Sequence, residues 1–363
     1  MTAGTWDDNL NFDFYATYLS KNAELSGIPV IDRSTRMVIL VASDSGMPVA
    51  GAKVTVTDAQ QHVFTSTTGA EGRVLFFPVW SGMTKGSPVT ITASAGDDTA
   101  QKNTEATAGT TTLTLTRTAR AAVGGLDLAF VLDTTSSMND ELSYVQRELD
   151  NIVGGVAAQF PGLAQRFALI VYRDTEDDYV LRSFDFTSDL AAFRNTLAAQ
   201  SGSGGGDLPE AVDQALAATG KLSWQPGAVA RVAFWIADAP HHADRASAVV
   251  AALQGVVENA VHIYPVAASG QDDLGEYTMR TVAEVTGGRY LFITNDSGIG
   301  GGHAEPHIPC YFVTTLESAM RRMISTEVGG DYVAPPASEI IRTSGNPNGQ
   351  SCTLSNGSTV TAW

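Results

Sequence analysis

Short runs in which apolar and polar residues alternate fill residues 31–118: "RMVILVA", "AKVTVTD", "HVFTSTT", "RVLFFPV", "PVTITAS" and "TTLTLTR". Gly, Pro, Asp and Ser separate them, and Thr and Val dominate within them. A period of two with turn residues at the breaks predicts an antiparallel β-sandwich. The rhythm changes after the linker "ARAAVGG" (119–125). Continuous apolar runs ("LDLAFVL", "RFALIVY", "VARVAFWIAD", "VHIYPVA", "RYLFIT") now alternate with amphipathic segments. In "MNDELSYVQRELDNIVGGVAAQF", Leu142, Val145, Leu149, Ile152, Val153 and Val156 recur at helical spacing. This pattern predicts an α/β unit over 126–330, with a doubly wound, mainly parallel sheet covered on both faces. Residues 1–30 form an aromatic, amide-rich extension, and the tail 331–363 is polar and turn-rich. "TLSNGSTV" predicts a hairpin at Asn356 and Gly357. A lone hairpin is marginal in water, so the tail is expected to pack on the sandwich.

The length of 363 residues suits two cores better than one. No apolar run is long enough to span a bilayer, and "MTAGTWDDNLNFDFY" has neither the basic start nor the apolar centre of a signal peptide. The net charge is -17, unevenly placed: residues 1–118 carry 11 acidic and 8 basic side chains, residues 119–363 carry 28 and 14. Such a surface disfavours nucleic acid and suits cations, although acidity also serves solubility. The two cysteines, Cys310 and Cys352, cannot make a zinc site alone. They are either one disulfide in an oxidising compartment or two buried thiols.

Two buried strands end in an acid: "LAFVLD" in Asp133 and "VAFWIAD" in Asp238. In an open parallel sheet, ligands bind beyond the carboxyl ends of the strands, where the strand order reverses. If these strands are neighbours across the reversal, the two carboxylates converge. Thr135 and Ser137 follow Asp133 on the turn into a helix, and hydroxyl and carboxylate oxygens are what a hard divalent cation takes. In "SGSGGGDLPEA", Asp207 either joins that set or caps a helix in a capping box with Glu210. Ser136 reads as a spacer and Asp127 as solvated. Asp174, His241 and His242 are placed at the rim of the site. His303, Glu305 and His307, near Cys310, read as a zinc set or as side chains ordering a loop. Asp7, Asn9, Asn11 and Asp13 have the spacing of a calcium loop but lack its sixth-position glycine and closing glutamate. The other reading of that segment is packing of Trp6, Phe12, Phe14 and Tyr15 onto a neighbour.

"SDSGMPVAGAKVTVTDAQQHVFTSTTGAEGRVLFFP" resembles the carboxypeptidase regulatory-like, transthyretin-like sandwich family and implies a spacer or scaffold. The D-x-[ST]-x-S turn, the glycine loop and the strand ending in Asp238, in that order over roughly 125–328, resemble the von Willebrand factor type A domain. "GGGDLPEAV", "IADAPHH" and "TGGRYLFIT" resemble its bacterial form. The resemblance implies a metal-ion-dependent adhesion site holding Mg2+, with Ca2+ or Mn2+ as substitutes. It also implies capture of a protein or cell-surface ligand rather than turnover, in a secreted, surface or periplasmic protein. This chain departs from the pattern twice, with Thr135 for a serine and Asp207 where threonine is common. A third carboxylate at Asp207 would more than neutralise a dication and weaken its pull on acidic ligands. Two further functions stand beside binding. One is a structural component of a surface assembly, locked by its metal. The other is a metal-assisted hydrolase with His241 or His242 as base, for which no paired nucleophile or HExxH motif is present.

Overall fold

The computed structural model describes residues 1–116, 122–206, 208–298, 302–303 and 305–362. The chain opens on strand β1 (Thr2–Trp6) and helix α1 (Phe12–Lys21). Seven strands follow: β2 (Met37–Ser43), β3 (Lys53–Asp58), β4 (Val63–Thr67), β5 (Arg73–Phe76), β6 (Pro88–Ala95), β7 (Asp98–Glu105) and β8 (Gly109–Leu115). They form two small sheets, ordered β5-β2-β8 and β4-β3-β6-β7. Alternation places Ile39, Val41, Val54, Val56, Phe64, Phe76 and Ile91 in one core between them. The pairing is antiparallel throughout except for β2 with β8, which is parallel. β7 lay outside the sequence reading because "DTAQKNTE" is an exposed edge strand with few apolar positions.

The α/β unit comprises β9 (Gly125–Asp133), α2 (Asn139–Gln159), β10 (Ala164–Tyr172), β11 (Leu181–Thr187), α3 (Leu190–Ala198), α4 (Val212–Lys221), β12 (Val229–Ala237), α5 (Ala246–Glu258), β13 (His262–Ala267), α6 (Asp273–Thr286), β14 (Tyr290–Ile293), β15 (Tyr311–Thr315) and α7 (Leu316–Gly329). Short strands β16 (Arg342–Ser344), β17 (Ser351–Thr353) and β18 (Thr359–Thr361) complete the chain. The main sheet runs β11-β10-β9-β12-β13-β14-β1-β15-β16. β10, β9, β12, β13 and β14 are parallel, and every residue of β9 is buried because helices cover both faces. Asp189 caps α3, Asp272 caps α6 and Thr315 caps α7, each accepting backbone N–H bonds from the first turn. Among the described residues, no helix is long and apolar enough to cross a membrane.

Three placements differ from expectation. Residues 2–6 belong to the main sheet: β1 lies antiparallel between β14 and β15. Gly4 makes this insertion possible, because a Cβ there would stand 2.3 Å from the Phe292 ring and 2.9 Å from Tyr311. The tail hairpin β17–β18 docks beside β15 and the N-terminal segment rather than on the sandwich. Cys352 is bonded to Cys310, and Asn11 exchanges hydrogen bonds with the backbone of Thr361. Val360 and Ala362 bury in the core that holds Tyr311. Asp127 is fully buried rather than solvated, gripping Arg166 through both oxygens and accepting from the Gln225 N–H. The linker 119–125 is described only from residue 122.

The disulfide spans 42 residues with a Cα separation of 6.5 Å, within the usual range. Replacing both cysteines by serine should lower unfolding stability by about 3–4 kcal/mol, read from guanidinium melts; an unchanged midpoint would refute a stabilising bridge. A second test concerns His262, whose Nδ1 lies 2.7 Å from Glu327, which also accepts from the Tyr264 hydroxyl. Burial pulls the His262 pKa down, but the charge and hydrogen bond of Glu327 outweigh it and leave it raised. Burial pushes Glu327 up, and His262 outweighs this to leave it lowered. The raised histidine therefore stabilises fully below the ordinary imidazole value of about 6.5 and stops doing so as pH climbs through its elevated value. Stability should fall on the alkaline side, with a smaller slope in His262→Gln; equal slopes in urea titrations would reject the pair as its source.

Candidate functional site

β9 and β12 are adjacent and parallel, and the strand order reverses between them: β10 follows β9 on one side, β12 on the other. Asp133 ends β9 and Asp238 follows β12, so both carboxylates arrive at the same sheet edge, as the sequence pattern predicts. Asp133 Oδ1 accepts from the Thr135 backbone N–H at 2.9 Å and from its hydroxyl at 2.7 Å. The Thr135 and Ser137 hydroxyls stand 3.2 Å apart, and Ser137 also hydrogen-bonds Asp238. Asp133 is 1 % exposed, and its Oδ2 has no hydrogen-bond partner.

The glycine loop is laced over this turn. The Ser136 hydroxyl donates to Gly204 O at 2.7 Å, so Ser136 fastens the loop rather than merely spacing the motif. The Ser203 N–H donates to Thr134 O, and Asp177 accepts from the Gly205 N–H. Gly205 has φ +74°, and a Cβ there would meet Thr135 Cβ at 2.9 Å. Only glycine combines that conformation with that approach.

Glu210 corrects the capping-box expectation. α4 begins at Val212, after it, and the Ala211 N-cap offers no side chain. Instead the Glu210 N–H donates to Pro240 O and the residue bridges to His241, drawing the loop against the end of β12. Its side chain is 2 % exposed and faces the same cleft as Thr135, Ser137 and Asp238. Its Oε2 also has no partner. Burial first, then the charges of Asp133, Asp174, Asp177 and Asp238, push its pKa up to about 9. Burial, then Asp238, pushes Asp133 up to about 7, and burial raises Asp238 against the Ser137 hydrogen bond. The sequence signal for Glu210 was an acid in the glycine loop, next to proline and just ahead of the helix. Asp207 lies outside the described residues.

The remaining candidates disperse. His241 is not at the rim: it is 1 % exposed, with Nε2 2.9 Å from Gly27 O and Nδ1 3.3 Å from the Thr278 hydroxyl, and burial lowers its pKa. His242 lies 2.6 Å from Asp174, and neither lines the cleft that Thr135, Ser137, Glu210 and Asp238 share. His303, Glu305 and His307 turn to three different partners, Asn295, Tyr311 and Glu276. Asp7 pairs with Arg289, Asn9 with Arg36 and Asn11 with Thr361, so these side chains serve tertiary packing. A further buried acid, Glu141, approaches Ser269 at 3.3 Å, and burial raises its pKa.

The site can be tested for fit to a hard cation. Its donors are carboxylate and hydroxyl oxygens with no thiolate or imidazole among them, which suits Mg2+, Ca2+ or Mn2+. Two buried carboxylate oxygens without partners, crowded by like charge, are relieved either by a proton, the direction in which their pKa values are pushed, or by a cation. Among the described residues, no three His, Cys, Asp or Glu side chains stand in metal-holding geometry. A cation here would therefore depend on the hydroxyls as well as the acids.

No curated protein matches the chain. Among solved structures it is similar to the conserved hypothetical protein BatB of Bacteroides thetaiotaomicron, at 16 % identity over 56 % of this chain and 98 % of that one, TM-score 0.37. It is similar also to a von Willebrand factor type A protein of Catenulispora acidiphila, at 12 % identity over 84 % of this chain and 51 % of that one, TM-score 0.38. A third is proximal thread matrix protein 1 of the mussel byssus, at 16 % identity, 45 % and 40 % coverage and TM-score 0.31. The chain thus spans about half of the Catenulispora protein. The family model of the von Willebrand factor A domain matches residues 127–295, and over those residues the α/β unit is similar to that domain in sequence and in its mainly parallel sheet.

Proposed function

We propose that this protein is a cation-dependent protein-binding module whose von Willebrand factor A-like domain presents a hard divalent cation, Mg2+ with Ca2+ or Mn2+ as substitutes, at the reversal point of the sheet. The observation that carries the reading is the pair of buried, unpartnered oxygens, Glu210 Oε2 at an open cleft of about 630 Å³ that Thr135, Ser137 and Asp238 also line, and Asp133 Oδ2 beneath the Thr135 turn. Asp133 and Asp238 would hold the cation with the two hydroxyls, with Glu210 beside them, and Asp207 is a further candidate. When bound, the cation supplies a Lewis-acidic position that links a partner's oxygen to the domain. Ser136 and Asp177 keep the glycine loop over the turn, so the donors are held before the cation arrives. The sandwich serves as a scaffold for the domain. The two histidines that a hydrolytic role would use as base are engaged elsewhere: His241 is bonded to Gly27 and His242 to Asp174. The disulfide suits an oxidising compartment, in keeping with a secreted or surface location.

Mg2+ at saturating concentration should raise the melting temperature, by about 2.7 kcal/mol of added stability at a hundredfold excess over Kd. EDTA should reverse the shift. Asp133→Ala should abolish it and Glu210→Gln should weaken cation affinity, both followed by scanning calorimetry and titration calorimetry. An Asp133→Ala protein that still binds and is stabilised by Mg2+ would remove the cation from this cleft.

A further inference from the structure

We infer that a second recess, next to the cleft, binds a primary ammonium group, carried either by a lysine side chain or by a free alkylamine. It is walled by the end of β13, the first turn of α6, β14 and the loop that bears His303 and His307. The inference does not depend on the cation-site reading. Two acceptors among its walls have no partner, Gln271 Oε1 and His303 Nε2, on residues only 8 % and 9 % exposed. The tautomer of His303 follows from its neighbour. Asn295 Oδ1 accepts the His303 backbone N–H at 2.9 Å, so the amide oxygen is the atom that faces Nδ1 at 3.2 Å. Nδ1 therefore carries the ring proton, and Nε2 keeps a bare lone pair. Burial lowers the His303 pKa and so favours that neutral ring. Gln271 Nε2 approaches Ala237 O at 3.5 Å and Met279 Sδ at 3.4 Å, which leaves Oε1 as the atom in want of a donor. Buried acceptors left bare are costly, so the group that fits here brings N–H or O–H donors.

Charge and size decide which donor. Asp272, Asp273, Glu276 and Glu305 line the recess, and among the described residues no Lys or Arg does. Glu276 is held by Arg280 and His307, and Arg280 is shared with Asp8. Asp272 caps α6 and Glu305 accepts from the Tyr311 hydroxyl, bonds that leave a carboxylate's charge in place. Asp272, Asp273 and Glu305 are all exposed, without an ion pair among the described residues. The free volume is about 40 Å³, and one water-sized group needs about 10–15 Å³. A compact ammonium on a slim stem suits that space better than a planar guanidinium. Ile293 and Pro306 offer the stem apolar wall. The recess also adjoins the cleft along the chain. Gly270 lines the cleft and Gln271 the recess, and Gly302 and His303 divide in the same way.

The test uses the full chain with 15N-labelled histidine and no added metal. n-Butylammonium is compared with tetramethylammonium, which has the charge without N–H donors, and with n-butanol, which has a donor without the charge. The His303 Nε2 resonance and titration calorimetry report binding. n-Butylammonium should move Nε2 and bind at least about tenfold more tightly than either control. An unmoved Nε2 resonance, or a control that equals n-butylammonium, overturns the inference. The capped peptide Ac-Ala-Lys-Ala-NH2 separates the two sources. A response equal to that of n-butylammonium assigns the recess to a lysine side chain, and a response to n-butylammonium alone assigns it to a free amine. Gln271→Leu should weaken binding by about tenfold. Asp273→Asn, at an exposed position that leaves the fold intact, should weaken it by about threefold and flatten its salt dependence. Unchanged affinity in both variants would overturn the assignment to this recess.

Discussion

Helix α6 is buried along nearly its whole length, yet it carries Glu276, Arg280 and Glu284, and the arrangement of the N-terminal segment ahead of the sandwich depends on how those charges are matched. Arg280 is fully buried between Asp8 and Glu276 and lies 3.8 Å from the Tyr18 ring centroid. One turn on, Glu284 receives Arg33 and Arg36. Any one of these charges left alone in that position would cost several kcal/mol. The segment bearing Asp8 and the segment bearing Arg33 and Arg36 must both lie against α6, which aligns β1 beside β14 and brings Gly27 to His241. The loop that delivers Asp238 is thereby braced from a part of the chain more than 200 residues away.

The candidate site follows the opposite rule. There the buried acids have been left without counter-charges, and their titration is driven upward by burial and by one another. The protein pairs Arg280 and Glu284 completely, yet leaves Asp133 and Glu210 with orphaned oxygens. The cost of that arrangement falls on the folded state, and the hydroxyls of Thr135 and Ser137 and the glycine loop confine it to one cleft.

The strand ends at Asp133 and Asp238, the hydroxyls between them and the reversal of strand order were legible, because each is a local signal on a strongly periodic element. The inserted strand was not. "TAGTW" is too short to be distinctive, and its place depends on a glycine fitting under Phe292 and Tyr311, which no local pattern reveals. Glu210 was misread because an acid three residues after Asp207 satisfies the capping-box spacing, and only the later start of α4 releases it toward the cleft. His241 looked like a rim residue from its distance in sequence to Asp238, whereas its ring is drawn inward by Gly27. Asp127 looked solvated at the head of a strand, and Arg166 on the neighbouring strand makes it buried and paired.

The inserted strand and the disulfide together also decide how tension would travel. A pull on the tail hairpin passes through Cys352 into Cys310 and enters β15 at Tyr311. A pull on the first residues enters β1 at Thr2, which pairs with Thr315 at the far end of β15. The two loads meet at opposite ends of an antiparallel ladder, so its hydrogen bonds resist together in shear instead of parting one after another. β9 and β12 lie on the other side of β13 and β14, off that line, and the cleft would keep its shape while the edge of the sheet bears the strain.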